Sequence, residues 1–142
     1  MQRQDAKLPS RQEEPSGEVD ELARQVIGAA IEVHRMLGPG FPESVYEEAL
    51  CIELAARDIP FLRQPAIEVH YKGRRVGEGR LDLWVDQKLV VELKAVDEVL
   101  PKHRAQGKAY LCATGNQLAL VINFHEAVLK DGIHRVVLTH PA

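Results

Sequence analysis

Leu89-Val90-Val91-Glu92-Leu93-Lys94-Ala95 is the stretch on which the fold turns. Its apolar residues run almost without alternation, as in a central strand buried on both faces. Yet it carries a carboxylate and an ammonium two residues apart. Burying a charge is costly unless it is paired or bound to an ion. Residues i and i+2 of a strand point to one face about 6.6–7 Å apart, so Glu92 and Lys94 share a face. One strand earlier, Asp82 sits between Leu81 and Leu83, a second carboxylate in an apolar setting.

Working outward, residues 76–85 read as the preceding strand, turned back by Asp86-Gln87-Lys88. If those three residues form the hairpin loop, Val85 pairs with Leu89. Asp82 then lies opposite Glu92 and Arg80 opposite Lys94, with directly opposed Cβ atoms about 4.5–5.5 Å apart. A two-residue loop sets Asp82 against Val91 instead and sends the two carboxylates to different faces. Spacing alone leaves both registers open.

Further upstream, Ile67, Val69 and Tyr71 alternate with Glu68 and His70, the pattern of a half-buried strand, and Lys72-Gly73 is its turn. Two helices come first. Apolar residues at helical spacing run over 20–37, with Asp20 as N-cap and Gly38-Pro39-Gly40 as the stop; a second helix covers about 42–57. Downstream, Pro101 opens a helix to about Ala113, followed by strands at 118–124 and 133–138. The order ααβββαββ predicts an α/β sandwich around a mixed sheet.

The chain's 142 residues suit one domain, and 45% apolar with 27% charged residues is the balance of a globular protein. Residues 1–18, nearly devoid of apolar side chains, read as a disordered tail, leaving 19–142 as the domain. No run approaches the roughly 18–20 apolar residues of a membrane span. Arg3, Asp5, Lys7, Arg11 and Glu13 interrupt any secretory signal. Cys51 and Cys112 are too few and too far apart for a zinc cluster or a disulfide scaffold, so a reducing, cytoplasmic setting is expected. The net charge of −3, of which residues 1–20 hold −2, argues by itself against a nucleic-acid binder.

Two chemistries fit the misplaced charges. In the plainer one, Glu92 and Lys94 form a local ion pair and Arg80 satisfies Asp82. In the other, the hard carboxylate oxygens of Asp82 and Glu92 hold Mg²⁺ or Mn²⁺. Lys94 then orients an activated water or stabilises charge developing on phosphorus.

Asp82 with Glu92-Leu93-Lys94 on adjacent strands resembles the PD-(D/E)XK nuclease superfamily. Gly40-Phe41-Pro42-Glu43-Ser44-Val45-Tyr46 is similar to the signature of a bacterial group within it, the GxxExxY proteins. VIGAAIEVHRMLGPGF, ESVYEEAL, GEGRLDLWV, VVELKAV and LVINF also look like that group, over about residues 20–138. The resemblance implies a restriction-endonuclease-like αβββαβ core, a mixed central sheet flanked by helices. It implies Asp82, Glu92 and Glu43 as ligands of Mg²⁺ or Mn²⁺ and Lys94 as the catalytic lysine; Glu47, one turn beyond Glu43, is the weaker candidate.

Gln106 and Tyr110, four apart on the third helix, resemble the Gln-X-X-X-Tyr motif of bacterial recombination nucleases, which supports the active site and the strand. Tyr46 and Arg80 are further candidates for supporting roles. Lys102 and Lys108, with Lys72, Arg74, Arg75 and Arg104, are the candidates for phosphate contact. Leu81 stands where the superfamily name has proline, Gly107 interrupts the third helix, and His125 follows Asn123-Phe124 where the group prefers glycine.

The function implied is Mg²⁺-dependent hydrolysis of nucleic-acid phosphodiesters, with DNA favoured over RNA and a homodimer as one possible assembly. The alternative is a catalytically silent nuclease-like module that binds nucleic acid or a protein partner.

Overall fold

A computed structural model describes residues 14–138. Helix α1 (Gly17–Leu37) and helix α2 (Glu43–Ala56) come first, then strands β1 (Phe61–Arg63), β2 (Ala66–Tyr71), β3 (Arg74–Arg80), β4 (Leu83–Val85) and β5 (Leu89–Lys94). Helix α3 (Pro101–Thr114), strand β6 (Leu118–Asn123), a single 3₁₀ turn at Leu129–Gly132 and strand β7 (Ile133–Val136) complete the chain. A five-stranded sheet runs β1-β4-β5-β6-β7, with β2 and β3 forming a separate two-stranded ribbon. The pair β5–β6 is parallel, joined through α3, and the other pairs are antiparallel, so the sheet is mixed.

Alternation along β5 and β6 sorts the core into two layers. Leu89, Val91 and Leu93, with Leu118, Leu120 and Ile122, pack against α1 and α2. Val90, Ala119 and Val121 face α3 through Leu111. Glu92 and Lys94 share the parity of Val90 and therefore emerge on the α3 side.

Several expectations need correction. Helix α1 starts at Gly17, not after Asp20: Ser16 is the N-cap, its hydroxyl accepting from the Val19 N–H at 3.2 Å. Asp20 instead pairs with Arg135 on β7, and Glu18 with Lys88. Residues 16–18 thus belong to the folded domain, while 1–13 of the expected tail, and 139–142, lie outside the described residues.

The strand expected at 76–85 is two strands. Pairing of 61–63 with 83–85 and of 66–69 with 77–80 keeps one register, so 61–85 is a single antiparallel ribbon with a kink. The kink falls where Pro65 has no N–H to give and Gln64 adopts φ 52°. Two hydrogen bonds cross it, Gln64 N–H to the Asp82 carbonyl (2.8 Å) and Leu81 N–H to the Pro65 carbonyl (3.1 Å). The short β1 was missed because three residues after Pro60 carry no readable period. Beyond the kink the ribbon is not half-buried: Ile67 is covered, whereas Val69 and Tyr71 are exposed.

Candidate active site

The ladder Val85↔Leu89, Trp84↔Val90, Leu83↔Val91 follows the three-residue-loop register. Asp82, one residue before β4, therefore meets Glu92 near the C-terminal end of β5. The two interlock through backbone amides. The Asp82 N–H donates to Glu92 Oε2 (3.0 Å), and the Leu93 N–H donates to Asp82 Oδ2 (2.8 Å). The kink makes this possible, because a residue outside the ladder is free to turn its side chain along the edge of β5.

Glu92 is 2% exposed. Burial, reinforced by the neighbouring Asp82 charge, pushes its carboxyl up to about 8; the Asp82 amide and Lys94 pull the other way. Burial also raises the Asp82 carboxyl, against the opposing pull of the Leu93 amide and Lys94. Glu43, the first residue of α2, is raised by burial and then by Asp82, with Lys94 lowering it. Three carboxylates and one ammonium thus form a single electrostatic unit, drawn from α2, the ribbon kink and β5.

The ion pair between Glu92 and Lys94 does not form among the described residues. Lys94 Nζ donates to Gln106 Oε1 (3.2 Å), and Gln106 Nε2 donates to the Tyr110 hydroxyl (3.2 Å). A polar chain thus runs from the end of β5 along one face of α3, as i,i+4 spacing requires. Burial, then the charge on Glu92, raises the Tyr110 phenol. His103, one turn before Gln106, accepts from the Leu100 N–H at 2.9 Å, and burial and then Lys94 lower its pKa.

Other candidates have different neighbours. Arg80 does not oppose Lys94 and does not satisfy Asp82: β3 ends there, and its guanidinium donates to the Gln64 carbonyl (2.7 Å), bracing the kink. Glu47 is 4% exposed, and its Oε2 accepts from Arg63 Nε (2.8 Å) and Gln64 Nε2 (2.9 Å), so an arginine already balances it. Tyr46 is buried against Phe124, rings stacked at 4.6 Å; its hydroxyl donates to the Gly38 carbonyl and accepts from the Phe41 N–H. Tyr46 therefore fastens the Gly38–Phe41 loop that leads into Glu43. Lys102 and Lys108 stand exposed on α3.

Two supporting residues escaped the sequence reading. Gly79 on β3 lies under Tyr110, whose Cε1 would be 3.1 Å from any added Cβ; the available signal was a glycine inside a strand. Asn123 is fully buried, opposite Lys94 in the β5–β6 ladder. Its amide donates to the Val96 carbonyl (2.8 Å) and accepts from the Val96 and His125 N–H groups. It thereby clamps the chain as it leaves β5. A polar residue ending an otherwise apolar strand was its signal.

The donor set suits a hard divalent cation. Asp82, Glu92 and Glu43 offer oxygen ligands, and their mutual repulsion is opposed by Lys94 alone among the groups acting on all three. Among the described residues no three His, Cys, Asp or Glu side chains are already gathered into a metal cluster.

A family model described as the PD-(D/E)XK nuclease superfamily matches residues 20–136. The chain belongs to this superfamily. No curated protein and no solved structure matches it. Three helices around a mixed sheet are the superfamily's restriction-endonuclease-like α/β fold. No helix among the described residues is long and apolar enough to cross a membrane.

Proposed function

We propose that this superfamily member is a metal-dependent nuclease of the GxxExxY type that hydrolyses phosphodiester bonds in DNA, with Mg²⁺ or Mn²⁺ held by Asp82, Glu92 and Glu43. The reading rests on the interlocked Asp82–Glu92 pair, two carboxylates that burial raises, Glu92 further by the charge on Asp82, and whose burial a cation would offset. When bound, the cation supplies charge neutralisation at the phosphate and acidifies water.

The chain's own groups do the rest. Lys94, half-buried and held by Gln106, presents an ammonium beside the carboxylates, where it hydrogen-bonds the attacking water or a non-bridging phosphate oxygen. Gln106 and Tyr110 fix its position. The Leu93 and Asp82 amides fix the two carboxylates, so little reorganisation is needed as charge develops.

The test is cleavage of single- and double-stranded DNA and RNA in Mg²⁺ and in Mn²⁺. Wild type should cut DNA in at least one metal, and Lys94→Ala should lose 10²-fold or more, a loss of about 3 kcal/mol in transition-state stabilisation. Because Lys94 is half-exposed, the variant should unfold within about 1 kcal/mol of wild type. Absence of cleavage on every substrate, or a Lys94→Ala protein as active as wild type, refutes the assignment.

A further inference from the structure

The ribbon beyond the kink is the least explained part of the molecule. β2 and β3 leave the five-stranded sheet and pair with each other alone. Of their residues Ile67 is buried, while Tyr71 is 64% and Val76 62% exposed. Lys72 and Gly73 at the tip both have positive φ (51° and 77°), so the connection is as tight as a hairpin allows. A register shift between Val69 and His70 marks a bulge, which strengthens right-handed twist.

Charge sets this ribbon apart. Residues 66–80 carry Lys72, Arg74, Arg75 and Arg80 against Glu68 and Glu78, a net +2. Helix α3, which packs on the ribbon's root through Tyr110 and Gly79, adds Lys102, Arg104 and Lys108 with no acidic residue. Ribbon and helix together hold +5 in a chain whose total is −3. Arg75 is tied to Glu68 and Glu78, and Arg104 to His134; Lys72 and Arg74 at the tip make no ion pair among the described residues. Lys72 lies over the Tyr71 ring at 5.5 Å.

We infer that the outer ribbon, from Val69 to Val76, is a DNA-holding arm that enters the major groove of duplex DNA, on the reading that the substrate is nucleic acid. The dimensions agree. Two strands about 4.8 Å apart form the kind of ribbon that a B-form major groove about 12 Å wide admits. The same groove in A-form RNA is too deep and narrow for side chains to read. About six residues at roughly 3.3 Å each put the tip about 20 Å from the root. At the root, Arg80 is two residues from Asp82, so the arm reaches along the duplex from the scissile position. Lys72 and Arg74 meet phosphates on either wall, and Tyr71, Val69 and Val76 offer apolar contact to base edges such as the thymine methyl.

The experiment is fluorescence anisotropy of the full chain in EDTA with a labelled duplex DNA, the matching duplex RNA and the single strand. Wild type should prefer duplex DNA. The double variant Lys72→Ala/Arg74→Ala should bind it at least tenfold more weakly, with the salt slope reduced by about 2. Tyr71→Ser should weaken binding several-fold at unchanged salt slope. Lys130→Ala, on the α1 side, should bind as wild type. All four are exposed, and equal melting temperatures verify folding.

Arm variants that bind duplex DNA within twofold of wild type overturn the inference. So does equal affinity for duplex RNA, or a dimer that depends on the arm while DNA binding does not. Because binding is read without metal, the two readings separate. Arm-dependent binding by a wild type that never cuts sinks the nuclease assignment and keeps the arm. Cleavage with arm-independent binding does the reverse.

Discussion

Glu92→Gln should make the metal-free protein more stable, not less, at alkaline pH. The Glu92 carboxyl stands at about 8 in the fold against an ordinary 4.5. Between those values the folded chain binds more protons than the unfolded one, so stability falls as pH rises. The protonated contribution is complete below pH 4.5 and is lost as pH climbs through 8. At 1.36 kcal/mol per unit, ionisation of Glu92 costs the fold about 1 kcal/mol at pH 5, about 3 at pH 7 and about 4 at pH 8. Glutamine has nearly the same shape, and its carbonyl oxygen still accepts from the Asp82 N–H that now reaches Glu92 Oε2. Urea denaturation in EDTA at pH 5, 7 and 8 reads the difference directly. The variant should lead wild type by an increasing margin as pH rises. If the two proteins share one pH slope, or the variant is the less stable at pH 8, buried repulsion at Asp82–Glu92 is not what shapes the site.

Mg²⁺ should act in the opposite sense on the two proteins' ranking: at 100 times its dissociation constant it should stabilise wild type by about 2.7 kcal/mol at pH 8, and Glu92→Gln much less, measured by the same denaturation curves. Gly79→Ala would set a Cβ 3.1 Å from Tyr110 Cε1. It should displace the ring and lower cleavage about tenfold while costing under about 1 kcal/mol in stability, since misplacement rather than unfolding is the fault; unchanged kcat refutes the positioning role. Gly132→Ala would drive a Cβ into the Asn123 carbonyl and to within 2.8 Å of Glu126 Cγ. A loss of about 1–3 kcal/mol is expected, seen as a lower melting temperature, because backbone there cannot yield as a side chain does.

How much the sequence could say depended on the range of each interaction. The strand carrying Glu92 and Lys94 was legible because its apolar run and its charges are local. The register was legible only as a choice between loop lengths, and the structure takes the three-residue one. The break at Leu81–Asp82 was not, since its cause sits across the ribbon at Pro65 and Gln64, sixteen or more residues away. The same distance hid the fate of Arg80, which braces that break instead of meeting Asp82. Asp20 was a sound N-cap by type, yet Ser16 won the position because α1 is anchored a turn earlier, with the Ser16 N–H on Gln117 and Glu18 on Lys88. Alternation over 67–71 identified a strand but not what it packs against, and past Ile67 its side chains are exposed.

That division of labour along the ribbon bears on how such a protein changes over generations. Destabilising mutations are purged when they fall below a stability threshold, and most of that pressure lands on buried positions. Ile67 and the residues below the kink bear it; residues from Val69 to Val76 do not. The outer ribbon can therefore drift, lengthen or reverse its charge at little cost to folding, while Asp82, fixed to the same ribbon one kink away, keeps its chemistry. On the proposed reading, substrate preference and catalysis would sit on one continuous piece of backbone yet be free to evolve at different speeds.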